Sequence, residues 1–344
     1  MLNLHILHGT YGPQIPYGCT YIRLLRPLTH PSIASDIQLS HGEELPAHTP
    51  DAVILERTWR EGTRVAEVEA LLSALAARGI PLLYTLDDNL LDLDADAPWE
   101  QPEERRRIVS LLLRESRGTI VSTDALGQRV SKLARRVEVV PNALDDRLFG
   151  EPTAKPHREG PLAVGYMGSL THEGDLRMVL RGLREALSAS RISFEIVGVS
   201  ANPSFKDLFK GLHATFLTPG EDHPYPQFAG FMKTLHWDLA ISPLQDTPFH
   251  RCKSDLKYLD YAALGIPGVY SDVTPYRETI RNGETGLLAA NDSDSFRDAV
   301  LRLVNDETLR ASIARNALDE VRGTRLLAHT APRLRQAITT LLES

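Results

Sequence analysis

Short apolar runs alternate with amphipathic stretches along nearly the whole chain. The runs predict buried strands, and stretches with apolar residues three or four positions apart predict helices that cover them. This alternation is typical of a mostly parallel sheet with helices on both faces. The predicted strands of the first half are Leu2–His8, Ala52–Glu56, Pro81–Leu86, Gly118–Ser122 and Val137–Val140, and its predicted helices are Tyr21–Leu28, Val65–Arg78, Glu103–Glu115 and Asp124–Leu133.

The segment Glu151–Pro161 interrupts the pattern with three prolines, mixed charge and no periodicity, and is the best linker candidate. The alternation then restarts. The sequence therefore predicts an α/β protein of two doubly wound domains, residues 1–150 and 160–325, followed by a last segment, 326–344. The predicted strands of the second half are Leu162–Met167, Phe194–Gly198, Ala214–Leu217, Leu239–Ser242 and Gly268–Tyr270; its helices are Leu176–Leu187, Ser204–Leu212, Tyr225–Thr234, Asp255–Leu264, Pro275–Asn282, Asp292–Asn305, Thr308–Arg322 and Ala331–Leu342.

Composition narrows the classes of protein that fit. The length of 344 residues suits two domains of about 150 residues each. A net charge of -7 disfavours a nucleic-acid partner, because contact with phosphate chains favours a basic surface. The two cysteines, Cys19 and Cys252, match no metal spacing and indicate a reduced, cytoplasmic protein.

Membrane contact is addressed by two observations. No apolar run reaches the length of a spanning helix, about 18 residues, and the first residues predict a strand rather than a signal peptide. Peripheral contact with the inner face of a membrane stays open through the basic cluster Arg105, Arg106 and Arg107. The simpler interpretation of that cluster is a solvated helix face.

Candidate sites follow the predicted strands, because ligands of doubly wound sheets bind beyond the carboxyl ends of strands. Gly12 lies in the loop after the first strand, where glycine allows a ligand to approach the backbone. That loop lacks the G-x-G-x-x-G fingerprint of nicotinamide nucleotides. Asp87 and Asp88 are placed to contact sugar hydroxyls or take up a proton, or simply to cap a helix. Asn142 follows another strand and can hydrogen-bond across a turn.

A further acidic run, Asp92, Asp94 and Asp96, has the spacing D-x-D-x-D. It is compatible with a metal ion that bridges a diphosphate. An acidic loop before Pro98 explains it equally well, and no metal is expected.

In the second half, the loop after the first strand reads GSLTHEGDL. Gly168, Ser169 and Thr171 present amides and hydroxyls just before a helix, which favours anion binding. His172 is a candidate donor to a phosphate or a sugar hydroxyl, or an ordinary polar loop residue.

The stretch RCKSDLKYLDYAALGIP, residues 251–267, carries the most information. Arg251, Lys253 and Lys257 provide three cations at the start of a predicted helix, where they and the helix amides can stabilise a leaving diphosphate. Asp260 lies three residues after Lys257, on the same helix face, where it can hold a ribose diol. The alternative is a solvated basic face.

These residues resemble a known family. Asp260–Pro267, DYAALGIP, is similar to the E-A-x-A-x-G-x-P segment of family 4 glycosyltransferases, which have the GT-B fold of two Rossmann-like doubly wound domains facing a cleft. A subgroup associated with bacterial surface polysaccharide synthesis has the pattern K-S-x-x-K-x-L-E-Y, which Lys253–Tyr261 resembles. Five other segments appear in the expected order: PNALD (Pro141–Asp145), GYMGS (Gly165–Ser169), FEIVG (Phe194–Gly198), DLAISPL (Asp238–Leu244) and NGETGLL (Asn282–Leu288).

The resemblance implies a retaining transferase that needs neither metal nor bound cofactor. Its donor, a nucleotide-diphospho-sugar, would bind the C-terminal domain. Its acceptor, a glycan, a lipid-linked or a small molecule, would bind the N-terminal domain, onto which the last helix crosses back.

The resemblance also implies roles for individual residues. Asp260 would bind the ribose, although it is one methylene shorter than the family's glutamate. The first acid of the family's E-x7-E motif falls at Cys252. The family's arginine and lysine are missing from the loop before Asp175, so Lys253 and Lys257 would hold the diphosphate. Tyr258 completes the candidate donor-binding set, and Asp87 stands in the loop where the family has a histidine.

Two alternatives stay open. A catalytically silent paralogue would act as a binding subunit, and the cysteine at position 252 favours it. A sugar-nucleotide epimerase on the same fold would isomerise the donor alone.

Overall fold

Two six-stranded parallel sheets form the framework of the protein, one from each half of the chain. The structure is a computed structural model that describes residues 1–12, 15–93, 101–150, 160–169, 172–189, 192–198, 203–219 and 224–343. Thr171, Asp94, Asp96 and most of the predicted linker lie outside these residues. The predicted domain boundaries therefore stay predictions.

The first sheet contains six of the strands of the first half. Its strands are β1 (Leu2–Leu7), β4 (Ile37–Gly42), β5 (Ala52–Glu56), β6 (Leu82–Leu86), β7 (Gly118–Val121) and β8 (Val137–Val139), and β2 (Thr10–Tyr11) with β3 (Ile15–Pro16) forms a separate hairpin. The strand order is β4-β1-β5-β6-β7-β8. Every residue of β5 and β6 is buried, because helices cover both faces.

The helices of the first half connect these strands. They are α1 (Gly18–Thr20), a π-helical turn (Tyr21–Leu25), α2 (Arg26–Leu28), α3 (Val65–Ala77), α4 (Pro102–Glu115) and α5 (Asp124–Val130). The start of α5 is fixed by Thr123, whose hydroxyl oxygen accepts a hydrogen bond from the amide of Leu126 over 3.2 Å.

The second sheet repeats the plan. Its strands are β9 (Leu162–Met167), β10 (Ile192–Val197), β11 (Ala214–Leu217), β12 (Leu239–Ser242), β13 (Gly268–Ser271) and β14 (Leu287–Ala289), in the order β11-β10-β9-β12-β13-β14. Its helices are α6 (Glu173–Ala189), α7 (Pro203–Asp207), α8 (Tyr225–Met232), α9 (Leu256–Ala263), α10 (Thr274–Arg277), α11 (Ser293–Asn305) and α12 (Glu307–Thr324). The predicted class, two doubly wound α/β domains, is confirmed.

Several predicted elements differ in extent. The helix predicted over Ser204–Leu212 ends at Asp207, and the one predicted over Pro275–Asn282 ends at Arg277. In both cases a glycine with positive φ follows in the turn, Gly211 at 80° and Gly283 at 83°. Strands β4 and β14 and the β2–β3 hairpin are absent from the prediction. Strand β4 and the hairpin lack an apolar run, and β14 is apolar but only three residues long.

The last helix returns to the first sheet. It is α13 (Leu327–Leu342), four residues longer at its start than predicted. Its buried residues Leu334, Ile338 and Leu341 belong to the same apolar cluster as Leu4 and Ile6 of β1. Arginines preceding β7 and β8 donate to carbonyls near the end of α13, where a cation complements the helix dipole.

A loop between β12 and α9, residues 243–255, joins the two domains; we call it the bridging loop. Phe249 and Cys252 of this loop are buried in the apolar cluster between the first sheet and α3, α4 and α5. The Asn89 amide donates to the Pro248 carbonyl over 3.2 Å, and the Thr123 hydroxyl donates to the Cys252 carbonyl over 2.9 Å. The bridging loop is therefore part of the core of the other domain.

Candidate functional site

The candidate site lies where the bridging loop and the start of α9 meet the loops after β6, β8 and β9. Because all these strands are parallel, their carboxyl ends bring polar loops together at one edge of each sheet. The structure thus brings Asp87, Asp88, Asn142, His172, Lys253, Lys257 and Asp260 to the meeting edges of the two domains.

Lys257 and Asp260 are two ionisable residues of α9 that each have a buried, unpaired polar atom. Lys257 Nζ and Asp260 Oδ1 are both buried without a hydrogen-bond partner among the described residues. Burial lowers the pKa of Lys257 to about 8, although the charge of Asp175 opposes the shift. Burial raises the pKa of Asp260 to about 7, although Lys257 opposes that shift. The pKa values of both side chains therefore lie close to neutral pH.

The surroundings of Lys257 define the inner wall of the site. Its Nζ lies 5.1 Å from the centroid of the Tyr166 ring, at the end of β9. It also lies close enough to His172 to disfavour a second positive charge there. The Lys257 ammonium group therefore lies on the side of α9 that faces the end of β9, and its predicted contact with an anion stays a prediction.

His172 is held in one orientation by Asp175, its neighbour three residues on. His172 Nδ1 lies 2.6 Å from Asp175 Oδ2. Burial, followed by the charge of Lys257, lowers the pKa of His172 to about 4, so the ring is neutral at pH 7. Since the carboxylate only accepts, Nδ1 carries the hydrogen and Nε2 is an acceptor. A neutral His172 therefore suits a sugar hydroxyl better than a phosphate.

Lys253 is paired across the domains. Its Nζ lies 3.2 Å from Oδ1 of Asp88, and Arg57 Nη2 donates to Asp88 Oδ2 over 2.9 Å. Arg57 also donates to both oxygens of Asp87, over 2.6 Å and 2.9 Å. Although burial alone would raise it, Lys253 and Arg57 lower the pKa of Asp88 to about 2. Both aspartates therefore bind cations of the protein itself.

The remaining predicted loop residues lie at the edges of the site. Asn142 donates to Ser254 Oγ over 2.8 Å and so fixes the bridging loop from the side of β8. Gly168 leaves little room for a side chain, since a Cβ there would lie 2.7 Å from the Tyr166 hydroxyl. Ser169 follows it, and its carbonyl accepts from the His172 amide over 3.0 Å. Gly12 has φ of 54° in the β2–β3 hairpin.

Two predicted donor residues are turned away from this group. Arg251 is exposed and donates to both oxygens of Asp246, over 2.6 Å and 3.1 Å. Tyr258 is buried between α9 and α12, where its hydroxyl donates to Glu320 over 2.9 Å. The structure gives each of them a local partner, so their predicted contact with a donor stays a prediction.

Cys252, at the position of the family's first acid, is buried in the first domain's apolar cluster. Burial raises the pKa of its thiol to about 11, so the sulfur is uncharged at neutral pH. A neutral thiol in an apolar cluster does not replace a carboxylate that hydrogen-bonds a sugar.

Three residues escaped the sequence prediction. Asp175 orients His172, and its spacing of three residues within a helix start was available as a signal. Glu56 is the last residue of β5 and Arg57 follows it, so both lie at the carboxyl end of a strand, where ligands bind, as Asp87 does. Glu56 is 2% exposed and accepts from the Thr20 hydroxyl, and burial, followed by the charge of Asp87, raises its pKa.

The acidic run offers little support for a metal site. Asp92 accepts two hydrogen bonds from Arg129, each over 2.7 Å, while Asp94 and Asp96 lie outside the described residues. Among the residues that the structure describes, no group of three or more His, Cys, Asp or Glu side chains has the arrangement of a metal site.

A cavity of about 520 Å³ lies at the opposite, amino end of the first sheet. Its lining includes Leu75, Leu82, Arg117 and Arg136. The two arginines donate to carbonyls at the end of α13. We place the site at the carboxyl ends instead, because the unpaired charges lie there.

The basic cluster on α4 is divided by the fold. Arg105 donates to the Thr58 hydroxyl over 3.3 Å, and Arg106 donates to Glu103 over 2.5 Å, whereas Arg107 is exposed. Within the described part of the chain, no helix is long and apolar enough to cross a bilayer.

Comparisons with known proteins agree with this architecture. Residues 161–306 match the family model described as glycosyl transferases group 1. The crystal structure of Anabaena HepE in complex with UDP-glucose superposes with a TM-score of 0.70 at 15% identity and covers 99% of this chain and 100% of its own.

Two further solved structures are similar over the full length. Sucrose-phosphate synthase from Thermosynechococcus elongatus has a TM-score of 0.69 at 12% identity, with 100% of both chains covered. A glycosyltransferase from Rickettsia africae has a TM-score of 0.69 at 11% identity, with 100% of this chain and 99% of its own covered. No curated protein matches the chain. The chain thus has the GT-B fold, and its second half matches the glycosyl transferases group 1 model.

Proposed function

We propose that the protein is a glycosyltransferase that moves a sugar from a nucleotide-diphospho-sugar to an acceptor hydroxyl with retention of configuration. The observation that carries the proposal is the buried, unpaired pair of Lys257 Nζ and Asp260 Oδ1 on α9. A nucleotide diphosphate supplies what both atoms lack, an anion for the ammonium group and a diol for the carboxylate. The match to the glycosyl transferases group 1 model over residues 161–306 supports it.

In this proposal the donor lies on the second domain. Lys257, Lys253 and the first amides of α9 hold the diphosphate, and Asp260 holds the ribose. Gly168, Ser169 and Thr171 line the phosphate path. His172, neutral and oriented by Asp175, accepts a hydrogen bond from a hydroxyl of the transferred sugar.

In the proposed reaction, negative charge develops on the departing nucleoside diphosphate. The acceptor oxygen forms a bond to the anomeric carbon while the bond from that carbon to the phosphate oxygen breaks. The acceptor proton passes to the leaving phosphate, which lies on the same face of the sugar. Fixed lysines stabilise the diphosphate charge, so the proposal assigns no step to a metal ion. The acceptor binds from the side of Asp87 and Asp88, and surface polysaccharide synthesis is the process that the proposal favours.

The neighbours' ligands guide the first test. HepE was solved with UDP and with UDP-glucose, so UDP heads a panel that also contains GDP, dTDP and ADP. A nucleotide that binds the folded protein raises its melting temperature. We expect one base to give a clear shift with the wild type.

Lys257→Ala is the matching variant. Loss of a cation at the diphosphate should reduce turnover of the corresponding nucleotide-sugar at least tenfold, or about 1.4 kcal/mol, with an unchanged circular dichroism spectrum. Lys210→Ala, which removes an exposed cation paired with Asp207, is the control. Unchanged turnover in Lys257→Ala would remove the phosphate assignment.

A further inference from the structure

The ion pair between Asp88 and Lys253 connects the two domains at the site. Asp88 follows β6 of the first domain, and Lys253 belongs to the bridging loop that leads into α9. Their charged atoms are 3.2 Å apart, and the two side chains are 16% and 14% exposed. The Lys253 ammonium also lies 4.6 Å from the centroid of the Phe249 ring. Before any nucleotide-sugar binds, the Lys253 ammonium group is therefore already in contact with Asp88 and Phe249.

The two oxygens of Asp88 have different partners. Oδ1 accepts from Lys253, whereas Oδ2 accepts from Arg57 over 2.9 Å. Arg57 in turn is fixed by both oxygens of Asp87. If Lys253 leaves, Asp88 keeps a charged partner and is not left as an isolated buried carboxylate, which would be costly.

A diphosphate needs more positive charge than Lys257 provides alone. His172 is neutral and donates its only hydrogen to Asp175. Arg251 is exposed and paired with Asp246. Lys253 influences the pKa of Lys257 and thus lies within electrostatic range of it. Among these cations, Lys253 is the one that both acts on Lys257 and has a buried partner that keeps a second cation when Lys253 leaves.

We propose that the donor diphosphate takes Lys253 from Asp88, so that Asp88 and the donor compete for one ammonium group. The inference rests on the proposed function and deepens it by adding a first-domain residue that weakens donor binding. Once Lys253 has moved, Asp88 Oδ1 is uncovered and can accept a hydrogen bond from an incoming acceptor hydroxyl. The donor then binds before the acceptor.

If Asp88 competes with the donor for Lys253, its removal should increase nucleotide affinity, whereas removal of a residue that merely supports the site should not. In Asp88→Asn the side-chain amide can still accept from Arg57 but holds Lys253 less strongly. We expect the nucleoside diphosphate that binds the wild type, among UDP, GDP, dTDP and ADP, to bind this variant at least threefold more tightly by calorimetry. In Lys253→Ala it should bind at least threefold more weakly, and Asp88→Asn should change affinity less than twofold in the Lys253→Ala background.

Asp207→Asn is the matched control, because Asp207 pairs with Lys210 over 3.0 Å on the exposed surface. It should leave the affinity unchanged. If Asp88→Asn does not fold, Asp88→Ser takes its place. Unchanged or weaker binding in a folded Asp88 variant overturns the inference, and the proposed function stands. If none of the four nucleotides binds the wild type, the proposed function fails and the inference fails with it.

Discussion

At the scale of single residues, the unusual feature is the pair of unpaired charged atoms at Lys257 and Asp260. Leaving a buried polar group without a partner costs about 1–3 kcal/mol. A folded protein keeps such groups where a ligand completes them, and perturbed pKa values mark the same positions. The two residues therefore lower the stability of the free protein in favour of binding.

The pH dependence of nucleotide binding follows from the same pair. Asp260 must be ionised to accept from a ribose diol, and its pKa is raised to about 7. Lys257 must be protonated to attract a phosphate, and its pKa is lowered to about 8. We expect the affinity for the nucleoside diphosphate to rise as pH increases through 7 and to fall above 8. Calorimetric titrations across about pH 5 to 10 measure both limbs.

Variants of Asp260 and Lys257 test which residue causes each limb of the pH profile of nucleotide affinity. A phosphate group itself titrates near pH 6, at about the position of the acid limb. Asp260→Asn should remove the contribution of Asp260 to the acid limb and leave only the contribution of the phosphate. Lys257→Arg should move the loss of affinity above pH 8 to higher pH, since a guanidinium group stays protonated. A profile that is the same in both variants as in the wild type contradicts the assignment.

The sequence predicts the central pair but not all its neighbours. A spacing of three residues on one helix determines that Lys257 and Asp260 share a face. The proximity of Arg251 and Tyr258 to this pair in sequence predicts that they also contact a donor, which stays a prediction. Their present partners are Asp246 and Glu320, and the Glu320 contact depends on how α12 packs, which local pattern does not specify.

At the scale of elements, α9 is the part whose position matters most. Asp255, just before its first residue, accepts two hydrogen bonds from Arg325, each over 2.8 Å. Arg325 also donates to the carbonyl of Asn142, beyond β8. The helix start is thereby fixed to the end of α12 and to the first domain at once.

Removing Asp255 should loosen this arrangement. Loss of one partner of a buried ion pair costs about 3–5 kcal/mol. Because the Arg325 side chain is 19% exposed, we expect Asp255→Ala to reduce the free energy of unfolding by somewhat less, about 2–4 kcal/mol. Denaturant titration measures the loss. Asp207→Asn, at an exposed pair, should change stability by less than about 0.5 kcal/mol, and an equal effect of both variants would contradict the argument.

The strands also show which elements the pattern of apolar residues predicts and which it misses. Strands β9, β11 and β12 begin and end at the predicted residues. Strands β9 and β12 are apolar runs that are buried almost throughout, whereas β11 is a half-exposed edge strand whose short apolar run still marks its limits. Strand β4 lies at the edge of the first sheet and has partly polar, exposed positions, so its pairing with β1 depends on tertiary context. Only the folded chain reveals such a strand.

At the scale of the whole molecule, the charges that would hold a diphosphate come from the protein. In the proposed function, lysines from the bridging loop and α9 would take the place that a divalent cation has in metal-dependent transferases. We expect excess EDTA to leave turnover within about twofold of the untreated enzyme. Complete loss of activity, restored by added Mg²⁺, would instead support a metal site at the acidic run that begins at Asp92.

The burial of Phe249 and Cys252 under the first sheet has a mechanical consequence. A hinge motion that swung the halves widely apart would have to drag these two side chains into water, at about 25 cal/mol for each Å² of apolar surface exposed. We therefore expect substrates to enter and leave through local shifts of loops, while the two domains keep nearly the same relative position throughout the catalytic cycle.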